Sequence, residues 1–155
     1  FVVIYLPLMT SFTMLLLRRP DGAAWVITFV VTVAMIDTAG YLVGRKFGKH
    51  KLAPGVSPKK TWEGLVASIS AGAISAVLFT EIFWDFQWWG GILLAAVLLL
   101  AAVFGDLAES LIKRDLGVKD MSSLLPGHGG VMDRLDSILP SALITYLFAQ
   151  ALLPL

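Results

Sequence analysis

Acidic residues border the apolar stretches of this 155-residue chain, in positions where oxygen ligands for a metal ion are expected. Asp106 follows the apolar run of residues 90–105, and Asp133 and Asp136 lie three residues apart, on one face of a helix that begins there. Mg²⁺ selects carboxylates, usually one or two of them with waters and substrate phosphates. Asp106, Asp133 and Asp136 are therefore predicted metal ligands, and Asp37, inside another apolar stretch, is an additional candidate.

Each of these carboxylates also has a structural explanation. A carboxylate inside a membrane costs at least ~2.5 kcal/mol on insertion scales, and Asp37 could simply hydrogen-bond a neighbouring helix. The helix dipole favours an acidic residue at a helix start, which would explain either Asp133 or Asp136 singly but not both together. On a continuing helix, however, Asp106, Glu109 and Lys113 share one face, and a helix end needs only one such residue.

Basic residues form a candidate phosphate site in the segment "SPKKTWEG". Thr61 is a predicted N-cap for a helix that starts at Trp62, so Lys59 and Lys60 would stand beside the free amides of that helix. Amides together with ammonium groups bind phosphate. Attraction of the same loop to anionic lipid headgroups is the alternative. The segment lacks the GxxxxGK[ST] pattern, which excludes a Walker-type loop.

Glycines surround His128 in the segment "PGHGG". Gly129 and Gly130 let the backbone approach a ligand closely. The histidine could then donate to a phosphate or take part in proton transfer, although a lone histidine is more often structural.

The composition indicates a membrane protein. Hydrophobic residues make up 57% of the chain and charged residues 15%, against roughly a quarter charged in soluble domains. The mean hydropathy is +0.82. The chain contains no cysteine, which excludes disulfides, CxxC zinc sites and thiol nucleophiles.

Five apolar blocks approach the roughly 20 residues that a transmembrane helix needs. Because the backbone must satisfy its own hydrogen bonds in lipid, each block is predicted to be helical. The predicted fold is an all-α polytopic integral membrane protein, with residues 1–155 forming a single transmembrane domain. A kink is predicted near Pro140. The blocks are Phe1 to Leu17, Ala23 to Val43, Trp62 to Phe83, Trp88 to Phe104 and Leu135 to Leu155.

The basic residues predict the orientation. Of the 12 Lys and Arg residues, six lie in residues 44–61 and four in residues 113–134, so both loops are expected to face the cytoplasm. Trp84 suits an aromatic belt on the outer side. Arg18 and Arg19 disagree with this assignment, because their loop should be external. The chain also starts without a Met or a signal peptide, and we expect it to be part of a longer protein.

The segment Ser110 to Asp136 resembles the signature of the membrane phosphatidate cytidylyltransferases, also called CDP-diacylglycerol synthases. The matching positions are Ser110, Lys113, Arg114, Lys119, Asp120, Ser122, Leu125, Pro126, His128, Gly129, Gly130, Asp133, Arg134 and Asp136. The segments "SPKKTWEG" and "DTAGYLVGRKFG" are also similar to that family. The resemblance therefore covers most of the chain from Asp37 to Asp136.

This resemblance implies condensation of CTP with phosphatidic acid to CDP-diacylglycerol and pyrophosphate, in phospholipid biosynthesis. It implies Mg²⁺ and leaves room for a second cation such as K⁺. Membrane lipids and a homodimer are further expected partners, and nucleic acid is not. The expected location is the bacterial inner membrane, with the site open to the cytoplasm. Expected catalytic residues are Asp106, Lys113, Asp133 and Asp136; expected substrate-binding residues are Ser57, Lys59, Lys60, Thr61, Glu63, Arg114, Lys119, Asp120, His128, Gly129, Gly130 and Arg134.

Three other functions are compatible with parts of the sequence. Asp37 and Asp106 could line a cation path in a transporter. A related enzyme could use CTP with another lipid, such as an archaeol-type phosphate or a polyprenol. A scaffold protein is the third, for which the dense charged signature would be needless.

Overall fold

The chain forms five helices and one small β-hairpin in a computed structural model that describes residues 2–53, 57–85, 87–115, 117 and 137–152. Each predicted apolar block contributes one helix, so the five helices are confirmed. The elements are α1 (Val2–Leu17), α2 (Gly22–Phe47), β1 (Lys51–Ala53), β2 (Ser57–Thr61), α3 (Trp62–Trp84), α4 (Trp88–Asp115) and α5 (Ile138–Leu152).

Three of these helices, α2, α3 and α4, are long and apolar enough to cross a membrane. The described parts of α1 and α5 are shorter apolar helices. Large apolar side chains on the outer faces, such as Ile74 and Ile82, are more than half exposed, as expected of surfaces that meet lipid. The all-α polytopic membrane fold is therefore confirmed.

Helix α4 continues well past the apolar block that predicted it. It has 28 residues, about 42 Å at 1.5 Å per residue, while the hydrocarbon core is only about 30 Å thick. The helix therefore reaches beyond the apolar layer and carries Asp106 and Lys113 on its last turns.

The bundle core lies where α2, α4 and α5 meet. Apolar side chains that are less than a tenth exposed fill it, and α1 adds one more. Because α2 and α5 are distant in the chain, their packing in this core determines which helix ends lie side by side. The central members are Leu16, Trp25, Phe29, Val33, Leu94, Leu98, Phe148 and Ala149.

The predicted kink at Pro140 is wrong. Helix α5 begins at Ile138, so Pro140 is its third residue. The first turn has no intrahelical partner for its amides, so a proline there removes no hydrogen bond. At the next residue, the Ser141 hydroxyl donates to the Ser137 carbonyl at 2.6 Å.

The hairpin between α2 and α3 was not predicted. Its two strands are antiparallel, with Lys51 opposite Thr61 and Ala53 opposite Ser57. The Trp62 amide donates to the His50 carbonyl at 3.0 Å and closes the base of the hairpin. Neither strand has an alternating apolar pattern, so the sequence carries no signal for this pairing.

Helices α2 and α3 approach each other unusually closely beside this hairpin. A Cβ on Gly40 would lie 2.3 Å from the Ser68 hydroxyl, and one on Gly64 would lie 2.7 Å from the Gly40 carbonyl oxygen. The Ser68 hydroxyl donates to the Ile36 carbonyl across the interface at 2.7 Å. Small residues and interhelical hydrogen bonds of this kind hold membrane helices together.

Asp21 fastens the opposite end of the bundle. Its Oδ2 accepts from the indole Nε1 of Trp25 at 2.7 Å and of Trp84 at 2.8 Å, and its Oδ1 accepts from Arg19 Nε at 3.2 Å. Burial by itself would raise the pKa of Asp21, but these hydrogen bonds hold it below its usual value. The α1–α2 loop and the end of α3 therefore share one side, as the alternation of spans predicted.

Replacing Asp21 by Asn should destabilise the bundle in a pH-dependent way. The amide accepts through one oxygen only and loses the charge, at a cost of about 2 kcal/mol at pH 7. Because the folded pKa is lowered, the carboxylate stabilises the fold above about pH 4, the usual range of an unfolded aspartate, and this stabilisation is lost as the pH falls through the folded pKa.

Thermal unfolding of both proteins in detergent micelles at pH 7 and pH 3 measures this difference. Asp85→Asn is the matched control. Asp85 is exposed, and its backbone is in the left-handed helical region (φ 53°), which Asn also tolerates. A gap between wild type and Asp21→Asn that stays constant from pH 7 to pH 3 would contradict this role of the carboxylate.

Candidate active site

Lys60 and Asp106 form an ion pair between the hairpin and α4. The Lys60 ammonium contacts Oδ2 of Asp106, which lies 46 positions later in the chain. The lysine side chain is 27% exposed and the carboxylate 36%, so both groups are screened from part of the solvent yet reachable from it. The structure therefore brings one predicted phosphate ligand and one predicted metal ligand to the same point.

Further basic groups follow Asp106 along α4. Lys113 is seven residues on, two turns along the same face, and its side chain is half-buried. Arg114 is exposed on the neighbouring position. The last turns of α4 thus carry a carboxylate followed by two cations, as the continuing helix predicted.

Thr61 is the N-cap of α3, as predicted. Its backbone is extended, and its hydroxyl accepts from the Gly64 amide at 3.2 Å. The residue is only 4% exposed. This capping bond sets the point at which β2 ends and α3 starts, and so fixes the position of Lys60 one residue earlier.

The first amides of α3 already have partners within the protein. The Trp62 amide donates to the His50 carbonyl, and the Gly64 amide donates to the Thr61 hydroxyl. The phosphate site predicted from the sequence combined these amides with Lys59 and Lys60. The lysine side chains are therefore the groups that remain for the predicted phosphate contact.

Glu63 binds the segment that leads into the hairpin. Its Oε1 lies 2.8 Å from Nδ1 of His50, and the His50 amide lies 3.3 Å from both carboxylate oxygens. His50 was not among the predicted site residues. The partners are 13 positions apart and meet only because the hairpin closes between them, so no local spacing signals the pair.

The remaining predicted residues divide by location. Ser57 and Lys59 lie on β2 beside Lys60, and Asp37 is exposed on α2 one position after Ile36. Their roles with substrate or metal stay predictions, as do those of Thr61 and Glu63. Eight predicted residues lie outside the described ones: Lys119, Asp120, His128, Gly129, Gly130, Asp133, Arg134 and Asp136.

An ammonium and a carboxylate held face to face can bind a polyphosphate and a divalent cation together. The carboxylate supplies the oxygen that a hard cation prefers. The lysines supply point charges for phosphate oxygens. Since they lie at one end of an apolar bundle, both groups are placed where a lipid headgroup and a water-soluble molecule could meet.

Comparison with known proteins finds a matching family and several similar proteins. The cytidylyltransferase family profile matches residues 1–152. A phosphatidate cytidylyltransferase of Mycobacterium leprae is 47% identical over 146 residues, which cover 94% of this chain and 47% of that protein. One from Brucella suis is 40% identical over 130 residues, 84% of this chain and 48% of that protein. The chain therefore spans about half the length of the curated relatives it matches.

A solved structure shares the fold. It belongs to an intramembrane enzyme for archaeal membrane lipids biosynthesis and superposes with a TM-score of 0.58. The alignment covers 78% of this chain and 75% of that one, at 23% sequence identity. This likeness establishes a common arrangement of helices.

Removing the Glu63 carboxylate should loosen the base of the hairpin. In Glu63→Ala the amide and ring of His50 lose their acceptor. We expect faster hydrogen exchange in residues 49–53, measured by mass spectrometry. Glu81→Ala, an exposed position on the same helix, is the control. Unchanged exchange in Glu63→Ala would show that the carboxylate does not hold this segment.

Removing the Thr61 hydroxyl should uncap α3. Thr61→Val keeps the shape and loses the acceptor for the Gly64 amide, at a cost of about 1 kcal/mol. Thr61→Ser keeps the hydroxyl and should retain most of the stability. Thermal unfolding in micelles compares the three proteins, and equal midpoints for the Val and Ser variants would refute the capping role.

Proposed function

The chain belongs to the cytidylyltransferase family, and we propose that it transfers a cytidylyl group from CTP to phosphatidic acid. The products are CDP-diacylglycerol and pyrophosphate. The observation that carries this proposal is the contact of Lys60 with Asp106 at the end of a bundle of apolar helices. The relatives named phosphatidate cytidylyltransferase support the choice of both substrates.

The reaction is an in-line displacement at phosphorus. A phosphate oxygen of phosphatidic acid attacks the α-phosphorus of CTP, and the bond from that phosphorus to the bridging oxygen of pyrophosphate breaks. Phosphatidic acid is already anionic at neutral pH, so a strong general base is dispensable. Positioning and charge neutralisation by the protein account for most catalysis in such transfers.

The basic residues of the site would bind the phosphates. Lys60 from β2 and Lys113 from α4 approach from two elements, with Lys59 and Arg114 next to them in the chain. Charges that come from separate elements can hold the reacting phosphate and the leaving pyrophosphate in line.

Mg²⁺ fits the described part of the site as a partner of Asp106. Within the described ranges, no group of three or more His, Cys, Asp or Glu side chains gathers at one point. Mg²⁺ is commonly held by one or two carboxylates together with substrate phosphates, and a single half-exposed aspartate suits that mode. When bound, Mg²⁺ would neutralise charge that develops on the phosphate oxygens.

The apolar helices and the bacterial relatives support an integral protein of the bacterial plasma membrane. We propose that the hairpin end faces the cytoplasm. Six of the 12 Lys and Arg residues lie in residues 44–61, and the positive-inside rule places such loops on the cytoplasmic side.

A different lipid phosphate is the second candidate substrate. The solved structure with the same fold belongs to an intramembrane enzyme for archaeal membrane lipids biosynthesis, which makes an archaeol-type phosphate the alternative acceptor to test. The site charges would bind any lipid phosphate. Radiolabelled CTP offered to the full-length protein with either phosphatidic acid or an archaeol-type phosphate separates the two candidates. Label in the chloroform-soluble product identifies the acceptor, and no incorporation with any lipid under Mg²⁺ would refute the enzyme assignment.

Replacing Asp106 should stop the transfer without unfolding the protein. We expect Asp106→Asn to lower CTP incorporation by roughly 100-fold or more, because a developing charge loses its stabilisation. Asp115→Asn, an exposed residue at the end of the same helix, is the control and should keep near-normal activity. Near-normal activity of Asp106→Asn would remove Asp106 from the site.

A further inference from the structure

Lys60 and Asp106 contact each other, although each is expected to bind a different ligand. Lys60 is expected to bind phosphate, and Asp106 is expected to bind a cation. In the folded protein the two charges neutralise each other. Such an ion pair either is a permanent structural contact or breaks when the ligands bind and replace each partner.

The hairpin backbone is held by other hydrogen bonds and does not need the ion pair for its position. The base of the hairpin is closed by the Trp62 amide on His50 and by Glu63 on His50. The junction with α3 is fixed by Thr61. The backbone that carries Lys60 is therefore held without help from Asp106, and its side chain can leave the carboxylate while the strand stays in place.

Electrostatics oppose joint occupation of the carboxylate. An ammonium in contact with Oδ2 and a divalent cation on the same carboxylate would lie only a few ångströms apart, and partial burial strengthens their repulsion. The lysine is the partner that can move, because its ammonium sits on a flexible four-carbon stem. Phosphate oxygens are the natural new acceptors, since they form strong charge-assisted hydrogen bonds.

We propose that Lys60 is an exchangeable counter-ion of Asp106. A divalent cation takes the carboxylate, and the displaced ammonium passes to a substrate phosphate. The free energy needed to break the ion pair is then spent only once for both ligands. Binding of the cation therefore favours binding of the phosphate, and binding of the phosphate favours binding of the cation. This inference rests on the proposed function for the identity of the phosphate, but the exchange itself concerns only Lys60, Asp106 and the cation.

Calorimetric titration of Mg²⁺ alone into the full-length protein tests the exchange. The protein is held in phosphatidylcholine nanodiscs without CTP or phosphatidic acid. Removing the competing ammonium in Lys60→Met should tighten Mg²⁺ binding by about three- to five-fold, and Lys60→Gln should have the same effect. Lys51→Met, an exposed lysine on the same hairpin, should leave the affinity unchanged. Thermal unfolding confirms that each variant is folded.

Cross-linking with a zero-length carbodiimide detects the contact between Lys60 and Asp106 directly in the wild-type protein. The reagent joins an ammonium to a carboxylate in contact, and mass spectrometry detects the Lys60–Asp106 peptide. The cross-link should form without metal, fall several-fold at saturating Mg²⁺ and be absent in Lys60→Met.

Three results would overturn the exchange: Mg²⁺ affinity that is unchanged or weaker in both Lys60 variants, no detectable Mg²⁺ binding in any of these proteins, or a cross-link yield that is independent of Mg²⁺. Neither measurement involves CTP or lipid substrate. A failed transfer assay beside a Mg²⁺-sensitive cross-link would therefore refute the proposed reaction and leave the exchange standing.

Discussion

The close approach of α2 and α3 is the constraint from which the rest of the site follows. At Gly40 and Gly64 the two backbones come nearer than any side chain would allow, and Ser68 bonds across the gap to the carbonyl of Ile36. Since lipid offers no hydrophobic drive for helices to associate, such contacts between small residues supply much of the interhelical attraction. A bulkier residue at Gly40 would push the helices apart at the point where the hairpin joins them.

The hairpin depends on that constraint. Its strands have no apolar face of their own, and a two-stranded ribbon is marginal in isolation. It persists because α2 and α3 hold its ends together and because Trp62 and Glu63 bond to His50 at its base. Lys60 is thereby presented to α4 from a fixed backbone, and a flexible basic loop becomes a positioned cation.

The two ends of the bundle handle charge in different ways. At one end, Asp21 is surrounded by two indoles and Arg19, which hold it in its charged form and tie three elements together. At the other end, the ion pair of Lys60 and Asp106 stays partly open to solvent. The first arrangement suits stability, since every ligand of the carboxylate belongs to the protein. The second leaves both partners accessible to ligands from outside.

The sequence by itself determined the five helices, the N-cap at Thr61 and the continuation of α4 past Asp106, because each follows from local hydrophobicity or spacing. It also singled out Lys60 and Asp106 separately, Lys60 because it precedes a helix N-terminus and Asp106 because it lies on a polar helix face directly after an apolar run. Only the tertiary structure decided that these two residues touch, that Glu63 meets His50 and that the amides of α3 already have partners. It also decided that Pro140 lies in a first helical turn, where a proline removes no hydrogen bond. Such contacts join distant positions, and they depend on how helices pack, which no local pattern encodes.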